Sequence, residues 1–219
     1  MSTYVLMKIL ESAPSRYDAG IRMLTLGQID RIYERIALLV EKDQKVLDIG
    51  CGTGALSLRS ARRGAFVKGI DVNSEMLEVA RRRAKKEDLQ NITFEETGIA
   101  EMEKEGSDSY DVVMSGLCFS ELSKGEIAFT LEEAMRILKP GGKLIIVDEV
   151  LAVSLPLRIL QLAVRIPLVV ITYLLTQTTT HTVKGLAQSL VWSGFQLESS
   201  QTYQMGTLIQ MVARKPNGE

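Results

Sequence analysis

Between Val46 and Gly54 the chain reads Val46-Leu47-Asp48-Ile49-Gly50-Cys51-Gly52-Thr53-Gly54, and no other stretch restricts its fold as much. A short apolar run carrying one acid leads into three alternating glycines, and helical spacing through Leu56, Leu58 and Ala61 begins at once. One glycine is enough for a strand-to-helix turn. Three let the backbone turn tightly and let a ligand approach the main chain without meeting a Cβ. In open α/β sheets ligands sit beyond the carboxyl ends of the strands, so this loop marks a candidate cofactor site.

The periodicity of the remaining chain supports a strand–helix alternation. Lys45 to Ile49 is a strand, and Thr53 to Arg63 a helix with Gly64 at its C-cap. Ala65 to Ile70 is the second strand. Ser74 then caps a helix that turns Met76, Leu77, Val79 and Ala80 inward. Asn91 to Glu95 and Tyr110 to Met114 are the third and fourth strands. Lys124 to Leu138 is a helix ended by Pro140-Gly141-Gly142, and Lys143 to Val150 is the fifth strand. An amphipathic helix, Gly27 to Val40, precedes all of these. Such alternation implies a parallel sheet with helices on both faces. The end differs: Phe195 to Tyr203 and Thr207 to Val212, separated by Met205-Gly206, predict an antiparallel hairpin at one sheet edge. The fold class is therefore a doubly wound α/β sheet of seven strands, mostly parallel with a C-terminal antiparallel hairpin.

Composition removes several functions. With 219 residues and a formal net charge of -1, the chain carries no basic field for nucleic acid. The run Arg81, Arg82, Arg83, Lys85 and Lys86 is balanced by Glu78, Glu87 and Asp88 and reads as a solvated helix face. Cys51 and Cys118 stand without a CxxC or Cys/His cluster, which argues against a disulfide framework, a zinc site or any other metal centre. The first residues lack a signal-peptide pattern, so a reducing, cytoplasmic setting is expected. Leu151 to Leu175 is strongly apolar, but Arg158, Arg165, Pro156 and Pro167 interrupt it. A spanning helix needs about 20 nearly charge-free residues, so this segment is not read as transmembrane.

The glycine loop has a rival reading. Gly50, Gly52 and Ala55 satisfy the G-x-G-x-x-A spacing of a nicotinamide dinucleotide site, and Asp71 follows about 20 residues on. Three features oppose it: the acid Asp48 two residues before the glycines, the extra Gly54, and the C-terminal hairpin.

The loop resembles the first signature of class I S-adenosylmethionine-dependent methyltransferases. Three more segments match in order. Gly69-Ile70-Asp71-Val72-Asn73-Ser74-Glu75-Met76-Leu77 is similar to the ribose-binding second strand of that family. Tyr110-Asp111-Val112-Val113-Met114-Ser115 is similar to its fourth strand, and Leu138-Lys139-Pro140-Gly141-Gly142-Lys143-Leu144 to the turn before its fifth. The match runs from about Lys45 to Val150 and is closest in tone to the branch serving ubiquinone and menaquinone biosynthesis. The resemblance implies a Rossmann-like fold and one methyltransferase domain over 1–219. Its parts are an N-terminal cap and helix (1–44), a cofactor-binding core (45–150), an apolar acceptor-side insert (151–182), and a final helix and hairpin (183–219).

It also implies site roles. Asp71, with Val72 beside it, would hold the ribose hydroxyls. Backbone groups of Gly50, Cys51, Gly52, Thr53 and Gly54 would line the amino-acid portion of S-adenosylmethionine, with Asp48 on its ammonium side. Met76 would pack on adenine, and Ser115 and Leu117 would lie near the methionine moiety. One departure stands out. Where the family often carries an acid for the adenine amino group, this chain has Thr97-Gly98-Ile99. Backbone groups of Gly98 and Ile99 would serve instead, with Glu96 or Glu101 as substitute carboxylates.

A sulfonium is already a strong methyl donor, so catalysis needs mainly in-line placement and exclusion of water. A base is required only where the acceptor must lose a proton. Glu121, just past the fourth strand, is the candidate base. Tyr17, in Ser15-Arg16-Tyr17-Asp18, is a candidate to close the pocket. His181, the only histidine, reads as solvated or capping. The insert Leu151 to Leu175 suggests a lipophilic small-molecule acceptor, a membrane surface, a protein partner or a second copy of the chain. S-adenosylhomocysteine would be the product. Residues Glu11 to Gly27 faintly resemble methyltransferases associated with corrinoid proteins, which keeps an accessory role beside such a protein as an alternative. Nicotinamide oxidoreduction is a second alternative.

Overall fold

Seven strands form one sheet in the order β3-β2-β1-β4-β5-β7-β6 in a computed structural model that describes residues 14–150, 185–203 and 207–218. Helices α1 (Pro14–Leu24) and α2 (Gln28–Leu38) precede β1 (Lys45–Ile49). There follow α3 (Ala55–Arg62), β2 (Phe66–Asp71), α4 (Ser74–Lys86) and β3 (Ile92–Glu96). A 3-10 turn (Ile99–Lys104), β4 (Tyr110–Gly116) and a second 3-10 turn (Phe119–Glu121) come next. The described chain closes with α5 (Lys124–Ile137), β5 (Leu138–Glu149), α6 (Leu186–Trp192), β6 (Gln196–Tyr203) and β7 (Leu208–Arg214).

β1 to β5 are mutually parallel, and β7 enters antiparallel between β5 and β6. This is the expected Rossmann-like architecture. The hairpin lies at a sheet edge, as the sequence predicts, with its second strand inside its first. From β1 the chain winds outward through β2 and β3, then returns to place β4 on the other side of β1. The reversal leaves a crevice between the carboxyl ends of β1 and β4, where an open α/β sheet accepts a ligand.

Successive residues of a central strand serve opposite faces of the sheet. Val46 and Val112 pack with Ile32, Ile36 and Leu56 under α2 and α3. Leu47 and Val113 pack with Leu131, Ile137 and Leu190 under α5 and α6. Strands covered on both faces read as unbroken apolar runs, which is why β1 and β4 carry almost no alternation.

Three expectations are corrected. α1 is a helix, where the sequence reading begins helical structure at Gly27. Pro14 supplies its first position, where a missing N–H costs nothing. α5 ends at Ile137, before the Pro-Gly-Gly turn, because Leu138 has already turned extended (ψ 138°) and pairs with Tyr110. The cap of α4 is Asn73, whose side chain accepts from the N–H of Glu75 and Met76, both at 3.1 Å. Ser74 is the first helical residue. Asn73→Ala is therefore expected to cost about 1 kcal/mol of stability, and Ser74→Ala to stay within about 0.5 kcal/mol, as surface changes do. Urea denaturation of the two variants side by side checks the assignment.

Candidate active site

The loop after β1 and the turn after β2 are tied by one carboxylate. Asp71 accepts the Gly52 N–H on Oδ2 (2.7 Å) and the Asn73 N–H on Oδ1 (2.8 Å). Gly50 sits at φ +65°, and a Cβ there would lie 2.5 Å from the Cys118 sulfur, so the loop passes directly against the chain leaving β4. Gly54 has a different task. Its hypothetical Cβ would press on Ala80 and Phe94 at 3.0 Å, so it seats the start of α3 against α4 and β3.

Two cavities flank the glycine loop and share Tyr17, Gly50, Gly52, Gly116 and Leu117. The first, about 510 Å³, is lined by Asp71, Val72, Met76, Gly98, Ile99 and Glu121. The second, about 460 Å³, is lined by Asp18, Tyr33, Asp48, Cys51, Thr53 and Arg59. α1 roofs the seam between them. The Thr53 hydroxyl donates to Asp18 Oδ1 at 2.6 Å, Arg83 pairs with the same carboxylate, and Arg83 also reaches the Thr53 carbonyl at 3.3 Å. Arg81 donates to the Phe94 carbonyl at 3.0 Å. The basic run is thus only partly a solvated face: Arg81 and Arg83 hold tertiary structure.

Asp48 is buried at the end of β1 and accepts a hydrogen bond from the Ser57 hydroxyl. Burial pushes its carboxyl up to about 7; the Ser57 contact works against the shift, and nearby Asp71 adds to it. Burial likewise raises the Cys51 and Cys118 thiols, so neither is a thiolate near neutrality. The Tyr33 hydroxyl is also pushed up, first by burial and then by the field of Asp48. It fits beside β4 because Gly116 has no side chain; a Cβ there would lie 2.6 Å from it.

Most sequence candidates therefore converge on one crevice, and a few do not. The Ser115 hydroxyl is fully buried and donates to the Ile49 carbonyl at 2.9 Å, so it joins β4 to β1 and lines neither cavity. Glu96 and Glu101 line a third groove with Lys68 and Glu105, and neither lines the cavity that holds Val72 and Met76. Glu121 lies in the second 3-10 turn and faces the first cavity near Glu126. Leu117, in the left-handed region at φ +64°, faces both cavities. Sequence reading missed Asp18, Tyr33 and Arg83 as parts of the site, since each arrives from a distant element. His181 and Leu151 to Leu175 lie outside the described residues. Among the described residues no group of three His, Cys, Asp or Glu side chains could hold a metal ion, and no helix is long and apolar enough to cross a membrane.

Comparison with known proteins agrees with this geometry. Residues 40–188 match the family model described as a methyltransferase domain. The chain is similar to a demethylmenaquinone methyltransferase of Tropheryma whipplei (strain Twist), 35% identical over 151 residues, 67% of this chain and 59% of that protein. It is also similar to a ubiquinone biosynthesis O-methyltransferase of Acinetobacter baumannii (strain AYE), 38% identical over 123 residues, 56% and 48% of the two chains. The chain thus spans about half to three-fifths of these relatives. An S-adenosylmethionine-dependent methyltransferase structure from Mesorhizobium loti superposes with a TM-score of 0.64 at 20% identity, covering 83% of this chain and 95% of the other, and shares the fold.

The raised Asp48 carboxyl fixes a sign. The folded protein holds a proton that the unfolded chain releases at an ordinary carboxylate value, so this group makes folding less favourable as pH rises toward 7. Asp48→Asn keeps an acceptor for Ser57 and removes the titration. The variant is expected to gain stability over the wild type at pH 8 relative to pH 5, read as a larger difference in urea midpoint. An equal difference at both pH values would show that Asp48 is not held protonated.

Proposed function

We propose, from the premise that this chain belongs to the methyltransferase-domain family, that it transfers a methyl group from S-adenosylmethionine to a lipophilic small-molecule acceptor. The observation that carries this reading is Asp71. Each of its oxygens already holds one backbone N–H, so the carboxylate is fixed in orientation while lone pairs remain for two vicinal ribose hydroxyls in the first cavity.

The other groups fit the rest of the cofactor. Val72, 74% exposed, offers an apolar surface for a flat base, and Met76 lines the same cavity. Backbone groups at Gly98 and Ile99 are available to the base edge. Asp48, lining the second cavity, ionises beside an ammonium, which offsets the cost of its burial. The bound cofactor supplies an electrophilic methyl on a sulfonium. Tyr17, Gly116 and Leu117, at the seam of the two cavities, then exclude water and align the acceptor. Glu121, which lines the first cavity, is the group to take a proton from a hydroxyl acceptor. The lipophilic acceptor is favoured by the apolar composition of Leu151 to Leu175 and by relatives named for menaquinone and ubiquinone methylation.

Calorimetry is expected to show S-adenosylhomocysteine binding and no NAD binding; NAD binding alone would reverse the assignment. Asp71→Ala should weaken S-adenosylhomocysteine by about 1.5–3 kcal/mol, the range for hydrogen bonds to a charged group. It should also lower thermal stability modestly, because the Gly52 N–H loses its partner. With radiolabelled S-adenosylmethionine, label should pass to isoprenoid-tailed hydroquinones rather than to tailless catechols. Equal labelling of both classes would sink the lipophilic preference.

A further inference from the structure

A second buried carboxylate lies on the other side of the crevice. Asp148 is fully buried at the end of β5. Its Oδ2 accepts the Ser120 N–H at 3.1 Å, and its Oδ1 accepts the Glu149 N–H at 2.7 Å. The Ser120 hydroxyl lies beside the same carboxylate but makes no hydrogen bond of normal geometry. The turn held in this way runs from Leu117 to Leu122. The Leu117 N–H donates to the Val147 carbonyl of β5 at 2.7 Å, and Phe119 is sunk in the core. Leu117 has a left-handed backbone, a conformation an L side chain holds only when its surroundings impose it. Leu117, Cys118 and Glu121 of this turn line the first cavity, whereas Asp148 lines neither.

We propose that Asp148 is a positioning residue for methyl transfer: by gripping the Ser120 N–H it fixes the turn after β4 as the wall against which the cofactor lies. A buried carboxylate without a cation is costly, and neighbouring apolar residues would fill the space at lower cost. What the carboxylate provides here is an acceptor for two backbone N–H groups, close to the left-handed Leu117. This inference rests on the reading above for its ligand, but the contact itself can be tested without one.

The carboxyl is pushed up to about 6 by burial, against the hydrogen bonds it accepts. The groups facing it are the Cys118 thiol and Ser120 hydroxyl of the turn, the Tyr33 hydroxyl of α2, and Glu149 beside it. In a nuclear magnetic resonance pH titration of the ligand-free wild type, the Ser120 and Glu149 amide protons should shift together with a midpoint near 6. The shift should vanish in Asp148→Asn and persist in Asp48→Asn. Asp148→Asn should also weaken S-adenosylhomocysteine about tenfold, roughly 1.4 kcal/mol, while Ser120→Ala leaves its affinity within about twofold, since the substitution keeps the backbone N–H through which the turn is held. A Ser120 amide that does not titrate with Asp148 overturns the proposal. So does an Asp148→Asn protein of unchanged affinity, or a Ser120→Ala protein weakened as much as Asp148→Asn. If the amides titrate as expected but the wild type binds no S-adenosylhomocysteine, the methyl-transfer reading fails and the grip of Asp148 on the turn stands.

Discussion

The bridge made by Asp71 between the Gly52 and Asn73 amides is the contact on which the crevice depends. It spans the loop after β1 and the turn after β2, and so sets how α3 and α4 leave the sheet. Without it the two amides would face a ligand cavity with no acceptor of their own. With it, the loop is rigid enough for its glycines to matter. At Gly50 the backbone runs so close to Cys118 that no side chain fits, and the strand ends that frame the switch point are drawn together.

Two acids, Asp48 and Asp148, are buried at the carboxyl ends of β1 and β5 with no cation beside them among the described residues. Both are pushed above the ordinary carboxylate range, so both work against folding near neutrality. The Ser57 hydroxyl at Asp48 and two backbone amides at Asp148 soften that cost without removing it. A core built for stability alone would carry apolar residues at these positions. Their placement on either side of one crevice is the mark of a site where polarity serves a ligand or a loop rather than the fold.

The roof is assembled differently. α1 sinks Ile21 into the core, packs Tyr17 against it, and is tied down by polar contacts, among them Asp18 to Thr53 and Arg83, and Arg22 to Asp30. Ion pairs of this exposed kind are individually weak. An element attached through them opens at lower free energy than the sheet beneath it. Tyr17, which lines both cavities, is carried on this element.

The sequence by itself determined the strand and helix order from β1 onward, the crevice loop and the antiparallel hairpin, while the family resemblance of its motifs pointed to Asp48, Asp71, Val72, Met76 and Leu117 as residues near that loop. The elements are legible because they depend on local periodicity and on turns, which are written within a few residues of one another. Only the tertiary structure decided that Ser115 joins strands instead of lining the cleft, that Glu96 and Glu101 face another groove, and that Asp18 reaches Thr53 and Arg83. It also decided that Tyr33 fills the space left by Gly116 and that Asp148 grips Ser120. Each of these joins side chains brought together from separate elements. A sequence shows how many charges and hydroxyls a chain has. Which of them meet is settled by the register of β1 against β4 and by the angle at which each helix crosses the sheet, because packing, not composition, fixes those distances.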